Sequence, residues 1–268
     1  MQTVTSADGT RIAYERHGEG QPLVLLHGDA TRRFWDPVVQ RLADDYTVVV
    51  PDRRGRGDSG DGADWSLERE VEDARAVVES VDGDPALFGH SFGGLQAIEL
   101  TRTDPVAAVV AYEPSVIVGE YRETADLADR MEAALDAGDP ERAARLHLRE
   151  VLHGGEIGDA AFEAWLDDWP LWPEYVRFAD DLYRMDRAIE RYELPDELGV
   201  DAPALLLTGT EGPAHLRESV RAVQEALPDG RLVEFEGVSH AGPAEAPERV
   251  ASAVREFRAD VPVTDPSV

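Results

Sequence analysis

Residues 87–94 run Leu87-Phe88-Gly89-His90-Ser91-Phe92-Gly93-Gly94. Apolar residues lead into this stretch. A helical spacing of Phe92, Leu95, Ile98 and Leu100 leads out of it. A Gly-x-Ser-x-Gly between a strand and a helix is the pattern of a nucleophile elbow, a sharp turn that carries one serine. A turn that tight holds the serine in strained backbone, so its neighbours two residues away have to be small. Gly89 and Gly93 meet that need because they have no side chain to collide. The turn lifts the Ser91 hydroxyl clear of the main chain. It also aims the first amides of the next helix at the space beside it, where negative charge is favoured. The chain therefore has to supply a strand before residue 89 and a helix after residue 91.

The rest of the sequence repeats that alternation. Residues 10–16 read as a strand after the turn Ala7-Asp8-Gly9. Leu23 to Leu26 is a continuous apolar run, as in a strand buried on both faces of a parallel sheet, and it ends in His27-Gly28-Asp29. Tyr46 to Val50 is a similar run, ending in Pro51-Asp52-Arg53-Arg54-Gly55-Arg56-Gly57-Asp58-Ser59-Gly60. Ser66 is placed to cap a helix, with Glu68 near its positive end. Residues 106–111, 204–209 and 231–235 are further strands. Between residues 115 and 198 the rhythm changes to charged helical patterns, with no parallel strand. The expected architecture is α/β: a mostly parallel sheet flanked by helices, with a helical insertion. The boundaries are residues 1–114 and 199–260 for the sheet core, 115–198 for the insertion and 261–268 for a loose tail.

Composition bounds the chemistry. The chain has 268 residues, enough for one domain with an insertion, and no cysteine, which excludes disulfides and thiolate metal sites. No apolar run approaches the roughly 20 residues of a membrane span. The start, Met1-Gln2-Thr3-Val4-Thr5, lacks a signal-peptide layout, so a cytoplasmic protein is expected. Fifty-five acids face 26 bases, all arginine, for a net charge of −29. Such a surface repels nucleic acid and anionic membranes, which leaves a small molecule as the expected partner. It also suits high salt, where the screening length falls to about 3 Å at 1 M and the self-repulsion of the carboxylates fades. Adaptation to high salt predicts a melting temperature that rises from low to molar salt; a melting temperature indifferent to salt counts against it.

In a parallel sheet, sites gather at the carboxyl ends of the strands. That edge carries His27, Asp52, Ser91, Glu113, Glu211 and His240, so serine, acid and histidine follow in hydrolase order. Four motifs along the chain are His27-Gly28, the Asp52-to-Ser59 segment, Gly89-His90-Ser91-Phe92-Gly93 and Gly237-Val238-Ser239-His240. With them the chain resembles the α/β-hydrolase fold superfamily over about residues 10–258, and residues 115–198 correspond to the family's helical cap. The resemblance implies Ser91 as nucleophile, His240 as general base and then acid, and the backbone amides of Asp29 and Phe92 as oxyanion hole. His27 and His90 flank the site in structural roles.

Two features depart from the family's pattern. The acid commonly follows the seventh strand as Gly-x-x-Asp, but Gly209-Thr210-Glu211-Gly212 puts a glycine there and an acid one residue early. A second pattern in the superfamily puts the acid after the sixth strand, where Glu113 stands in Tyr112-Glu113-Pro114. Glu113 is the first choice and Glu211 the alternative. Asp29 is the other departure, because its carboxylate would oppose a developing oxyanion unless it is turned away or paired, with Arg32 or Arg33 as candidates.

Other signals are discounted. Residues 55–60 fit Gly-x-Gly-x-x-Gly but lead into Asp61-Gly62-Ala63-Asp64 rather than a helix, and His27-x-Asp29 gathers no further metal ligand. Trp165, Trp169, Trp172 and Tyr175 either roof a pocket or pack the insertion. The expected activity is a cofactor-free, metal-free serine hydrolysis of a small ester, lactone or related acyl substrate through an acyl-enzyme. Carbon–carbon bond hydrolysis, a haloperoxidase-like side activity and a ligand-binding protein with little turnover stay open.

Overall fold

The computed structural model describes residues 1–227 and 229–261. The loose tail expected at residues 261–268 falls, but for Val261, outside the described residues. The strands are β1 (Gln2–Thr5), β2 (Arg11–His17), β3 (Gln21–Leu26), β4 (Tyr46–Pro51), β5 (Ala86–His90), β6 (Ala108–Tyr112), β7 (Ala204–Gly209) and β8 (Arg231–Phe235). They form one sheet in the order β1-β2-β4-β3-β5-β6-β7-β8. The pairings β1–β2 and β2–β4 are antiparallel, and those from β4 through β8 are parallel. β1 is a strand that periodicity did not reveal: only Val4 in it is even partly buried, so it carries no alternation to read.

Helices cover both faces. α1 (Asp36–Leu42) and α11 (Pro247–Asp260) lie on one, while α2 (Leu67–Glu79), α3 (Phe92–Thr101) and α10 (Ala214–Glu225) lie on the other. The strands show why: Leu23 and Leu25 join the first apolar cluster, Val24 and Leu26 the second, and Phe88 and Leu87 divide the same way. A strand whose successive side chains point to opposite faces needs apolar residues throughout when both faces are covered. Each such side chain contributes about 1.5–3 kcal/mol on burial. α2 starts where Ser66 accepts a hydrogen bond from the Arg69 amide at 3.3 Å.

Between β6 and β7 the chain forms α4 (Gly119–Glu123), α5 (Leu127–Asp136), α6 (Pro140–His153), α7 (Asp159–Asp168), α8 (Trp172–Arg177) and α9 (Ala179–Arg191). α5, α6 and α9 pack on one another. The tryptophans pack this segment internally. Trp165 stacks on Trp169 with centroids 5.0 Å apart, and Trp169 meets Tyr175 at 4.5 Å.

The strand order reverses at β3, which has β4 on one side and β5 on the other. Loops leaving the carboxyl ends of β3 and β5 therefore diverge and open a crevice between them. The loop after β3 carries Gly28 and Asp29; the turn after β5 carries Ser91.

Candidate active site

Ser91 joins β5 to α3 with φ 56° and ψ −122°. Among the described residues, the non-glycine positions with positive φ are Ser91 and Glu113, the latter at φ 42°. Strain of this kind is typically about 1–3 kcal/mol per residue and collects at functional sites, where surrounding contacts enforce it. The enforcement here is close packing. A Cβ on Gly89 would strike the Gly93 carbonyl, and one on Gly93 the Leu26 carbonyl. One on Gly28 would lie 2.8 Å from the Ser91 Cβ. The three glycines let β3, the elbow and α3 close on one another.

Glu113 and His240 meet. His240 Nδ1–H donates to Glu113 Oε2 at 2.6 Å. The other oxygen, Oε1, accepts from the Thr208 hydroxyl at 2.7 Å and the Gly209 amide at 3.1 Å. Burial alone would raise this carboxyl; the His240 bond and charge, with the Thr208 and Gly209 donors, hold it below the usual range. Gly212, where the more common pattern has its aspartate, lies against this carboxylate: a Cβ there would sit 2.9 Å from Oε1. Glu211 is exposed and, among the described residues, accepts only from its neighbour Thr210 at 3.3 Å.

The Ser91 hydroxyl is 3.0 Å from the Ser115 hydroxyl and shares a hydrogen bond with it. The Ser115 amide also donates to the Ser91 carbonyl at 3.1 Å. Ser115 was not singled out in the sequence, although its place two residues after Glu113 at the end of β6 puts it on the same edge.

The two flanking histidines are neutral spacers. His90 stacks on His240 at 4.5 Å and on Phe34 at 4.4 Å, and its Nε2–H donates to the His240 carbonyl at 2.8 Å. Burial and the neighbouring His240 push it down to about 3. His27 is fully buried, accepts from the Arg53 amide at Nε2 and donates from Nδ1 to the Gly28 carbonyl, each at 3.1 Å. Burial drives its pKa well below the ordinary value.

Among the described residues, neither the Asp29 amide nor the Phe92 amide donates to a carbonyl or side chain. The Asp29 carboxylate is paired, but not as expected from the sequence. Arg32 is spent on Asp52, Glu15 and Asp58, and Arg33 stands exposed near Asp36. The partner is His147 of α6, whose Nε2–H donates to Asp29 Oδ2 at 3.2 Å and whose Nδ1–H donates to Asp186 Oδ2, on α9, at 2.6 Å. Burial opposes a charge on His147, but the two carboxylates push it up to about 10. A histidine 118 residues from its carboxylate has no sequence signal beyond its place among the buried residues Ala143, Ala144 and Leu148.

Two more contacts tie the helical segment to this edge. Arg53 donates to the Met185 sulfur at 3.4 Å, and Arg56 is 2.6 Å from Asp181 with its guanidinium over Phe178. Residues 55–60 are thus a structural loop: Asp52 fills the space under Gly57, and Arg56 is buried. A cavity of about 210 Å³ opens over Ser91 and Ser115. Val116, Ile117, Met185, Ile189 and Leu216 give it apolar walls. The stacked tryptophans do not line it.

A family model described as the alpha/beta hydrolase family matches residues 23–253. The chain belongs to that family. This alpha/beta hydrolase is 32% identical to a solved alpha/beta hydrolase from Sphaerobacter thermophilus DSM 20745, with a TM-score of 0.84, covering 96% of this chain and 99% of that one. It is 28% identical to the esterase RhEst1 from Rhodococcus sp. ECU1013, with a TM-score of 0.73, covering 97% of this chain and 99% of that one. A sequence relative, (E)-2-((N-methylformamido)methylene)succinate hydrolase from Acinetobacter baylyi, is 26% identical over 269 residues, which is 97% of this chain and 99% of the relative. The alpha/beta hydrolase fold read from the motifs is therefore the fold of this chain, and the protein is an enzyme of the hydrolase class. Among the described residues, no helix is long and apolar enough to cross a membrane.

Proposed function

We propose that this enzyme cleaves small uncharged esters, lactones or related acyl substrates through an acyl-enzyme on Ser91. The observation that carries the reading is the Glu113–His240 hydrogen bond of 2.6 Å at the mouth of a strained serine turn. In the reaction the Ser91 hydroxyl leaves Ser115 and gives its proton to His240 Nε2 as the oxygen attacks the acyl carbon. Glu113 holds the imidazole in the Nδ1–H tautomer and stabilises the imidazolium. The free amides of Asp29 and Phe92 receive the oxyanion, each donor being worth roughly 3–4 kcal/mol in the transition state. His240 then protonates the leaving alcohol, and a water molecule repeats the sequence to release the acid. Residues 115–198 act as a cap that closes the acyl pocket, and no cofactor is needed for these steps.

The charge on the pocket wall supports an uncharged substrate. Arg130 is held by Asp126 at 2.9 Å and by Glu150 at 2.7 Å, and His147 lies between two carboxylates. Glu190 adds another acid to the wall. No cation there among the described residues is left for an anionic acyl group. We expect a fluorophosphonate probe to label the wild type in high salt and Ser91→Ala not at all. p-Nitrophenyl butyrate should be hydrolysed with a kcat/KM at least about tenfold above that of the p-nitrophenyl hemisuccinate anion, about 1.4 kcal/mol of discrimination. Absence of labelling, or labelling that survives Ser91→Ala, defeats the acyl-enzyme. Equal rates on the two esters defeat the charge preference.

A further inference from the structure

Asp29, His147 and Asp186 form a largely buried chain of hydrogen-bonded ionisable groups. Three ionisable groups are drawn together from the loop after β3, from α6 and from α9, with His147 fully buried. Burying charges is expensive, and an apolar triple of the same volume would often be as stable or more so. Its position gives it a use. Asp29 follows Gly28, which abuts the Ser91 side chain, and its amide is free. Its carboxylate would stand near the developing negative charge on the substrate oxygen if left to itself. Other groups relieve this only in part. His27, His90, His240, Tyr175, Arg53 and Arg56 also act on Asp29 from neighbouring elements. Arg53 is bonded to Glu70 and Arg56 pairs with Asp181, so His147 is the cation that donates to the Asp29 carboxylate itself. His90 is neutral, His240 belongs to Glu113, and burial with the Asp29 charge keeps the Tyr175 phenol protonated.

We propose that His147 is a positioning residue of the active site: its imidazolium, clamped by Asp186, holds the Asp29 side chain off the oxyanion position and cancels its charge. The helical segment thereby completes the oxyanion hole, which the sheet edge supplies only in part. The inference rests on the acyl-enzyme reading above for its kinetic consequences, but the pairing itself does not.

The test is a double-mutant cycle on p-nitrophenyl butyrate. His147→Gln removes the cation bonded to the Asp29 carboxylate, and kcat should fall on the order of 10²-fold, as when one oxyanion donor is lost, with KM within about threefold. Asp29→Asn alone supplies the baseline of the cycle, against which the effect of His147→Gln without the carboxylate is read. Combining the two removes the uncompensated charge, so Asp29→Asn/His147→Gln should turn over at least about tenfold faster than His147→Gln and within about threefold of Asp29→Asn. A histidine that merely packs gives a double variant no better than His147→Gln, and that result overturns the proposal. So does a His147→Gln effect confined to KM. If His147→Gln fails to fold, the isosteric Asp186→Asn weakens the same cation. Its kcat should fall, and adding Asp29→Asn should restore it; failure to restore is again decisive. A wild type that turns over no ester defeats the acyl-enzyme reading alone. The cycle is then read in melting temperature, where Asp29→Asn should raise the Tm of His147→Gln. Absence of that rise overturns the pairing.

Discussion

Glu113→Gln is expected to lower kcat for p-nitrophenyl butyrate by about 10³–10⁴-fold at little change in KM, the scale seen when a triad acid becomes an amide. The geometry explains the size. Thr208 and Gly209 both donate to Oε1, so a glutamine must keep its carbonyl oxygen on that side. Its NH₂ then faces His240 Nδ1, where the glutamate had an acceptor. Two donors cannot face each other, so His240 takes the Nε2–H tautomer and can no longer accept the Ser91 proton. The side chain is nearly isosteric, and the fold should hold. Glu211→Gln, at an exposed side chain, should stay within about twofold of wild type. Equal losses in the two variants, or none in either, would overturn the assignment of Glu113.

Glu70→Ala is expected to reduce the unfolding free energy by about 3–5 kcal/mol, the usual range when one partner of a buried ion pair is removed. Arg53 is buried and donates to Glu70 at 2.6 and 3.2 Å, and Gln96 and Trp65 donate to the same carboxylate at 3.2 and 3.1 Å. Without Glu70 the guanidinium keeps the Gly28 carbonyl, at 2.7 Å, and the face of Phe92, at 4.4 Å, but loses the carboxylate it is bonded to and is left with the more distant charges of Asp181 and Asp29. Gly28 and Phe92 border Ser91, so activity should fall below the melting range too. Glu70→Gln keeps an acceptor and should be milder than the alanine variant. Denaturant unfolding gives the comparison, and a loss under about 1 kcal/mol in the alanine variant would show that Arg53 finds another partner.

The legibility of this protein in its sequence followed the range of the interactions involved. Ser91 was visible because the elbow is local: strand, glycine, serine, glycine and helix lie within a few residues, and the steric demand is met by neighbours in the chain. His240 was visible because its turn follows a strand with the same periodic signal as the rest. β1 escaped because it is exposed and carries no buried alternation. The acid stayed open between Glu113 and Glu211 because both follow strands that end on one edge. Only the packed structure sets Gly212 against the Glu113 carboxylate, which leaves that space to the residue from β6.

Asp29 marks the same divide. Sequence put it beside the developing oxyanion and offered nearby arginines as partners, because adjacency in the chain was all it could use. Arg32 turns instead to three carboxylates, and the cation that meets Asp29 arrives on α6 from the far side of the helical segment. By itself the sequence determined the alternating sheet and helices, the strained serine turn and the histidine turn after the last strand, since these depend on backbone sterics and on periodic burial within short windows. Tertiary structure alone decided which carboxylate holds His240 and which cation is bonded to Asp29, since groups separated by 127 and 118 residues pair only once the fold has brought them together and excluded water from between them.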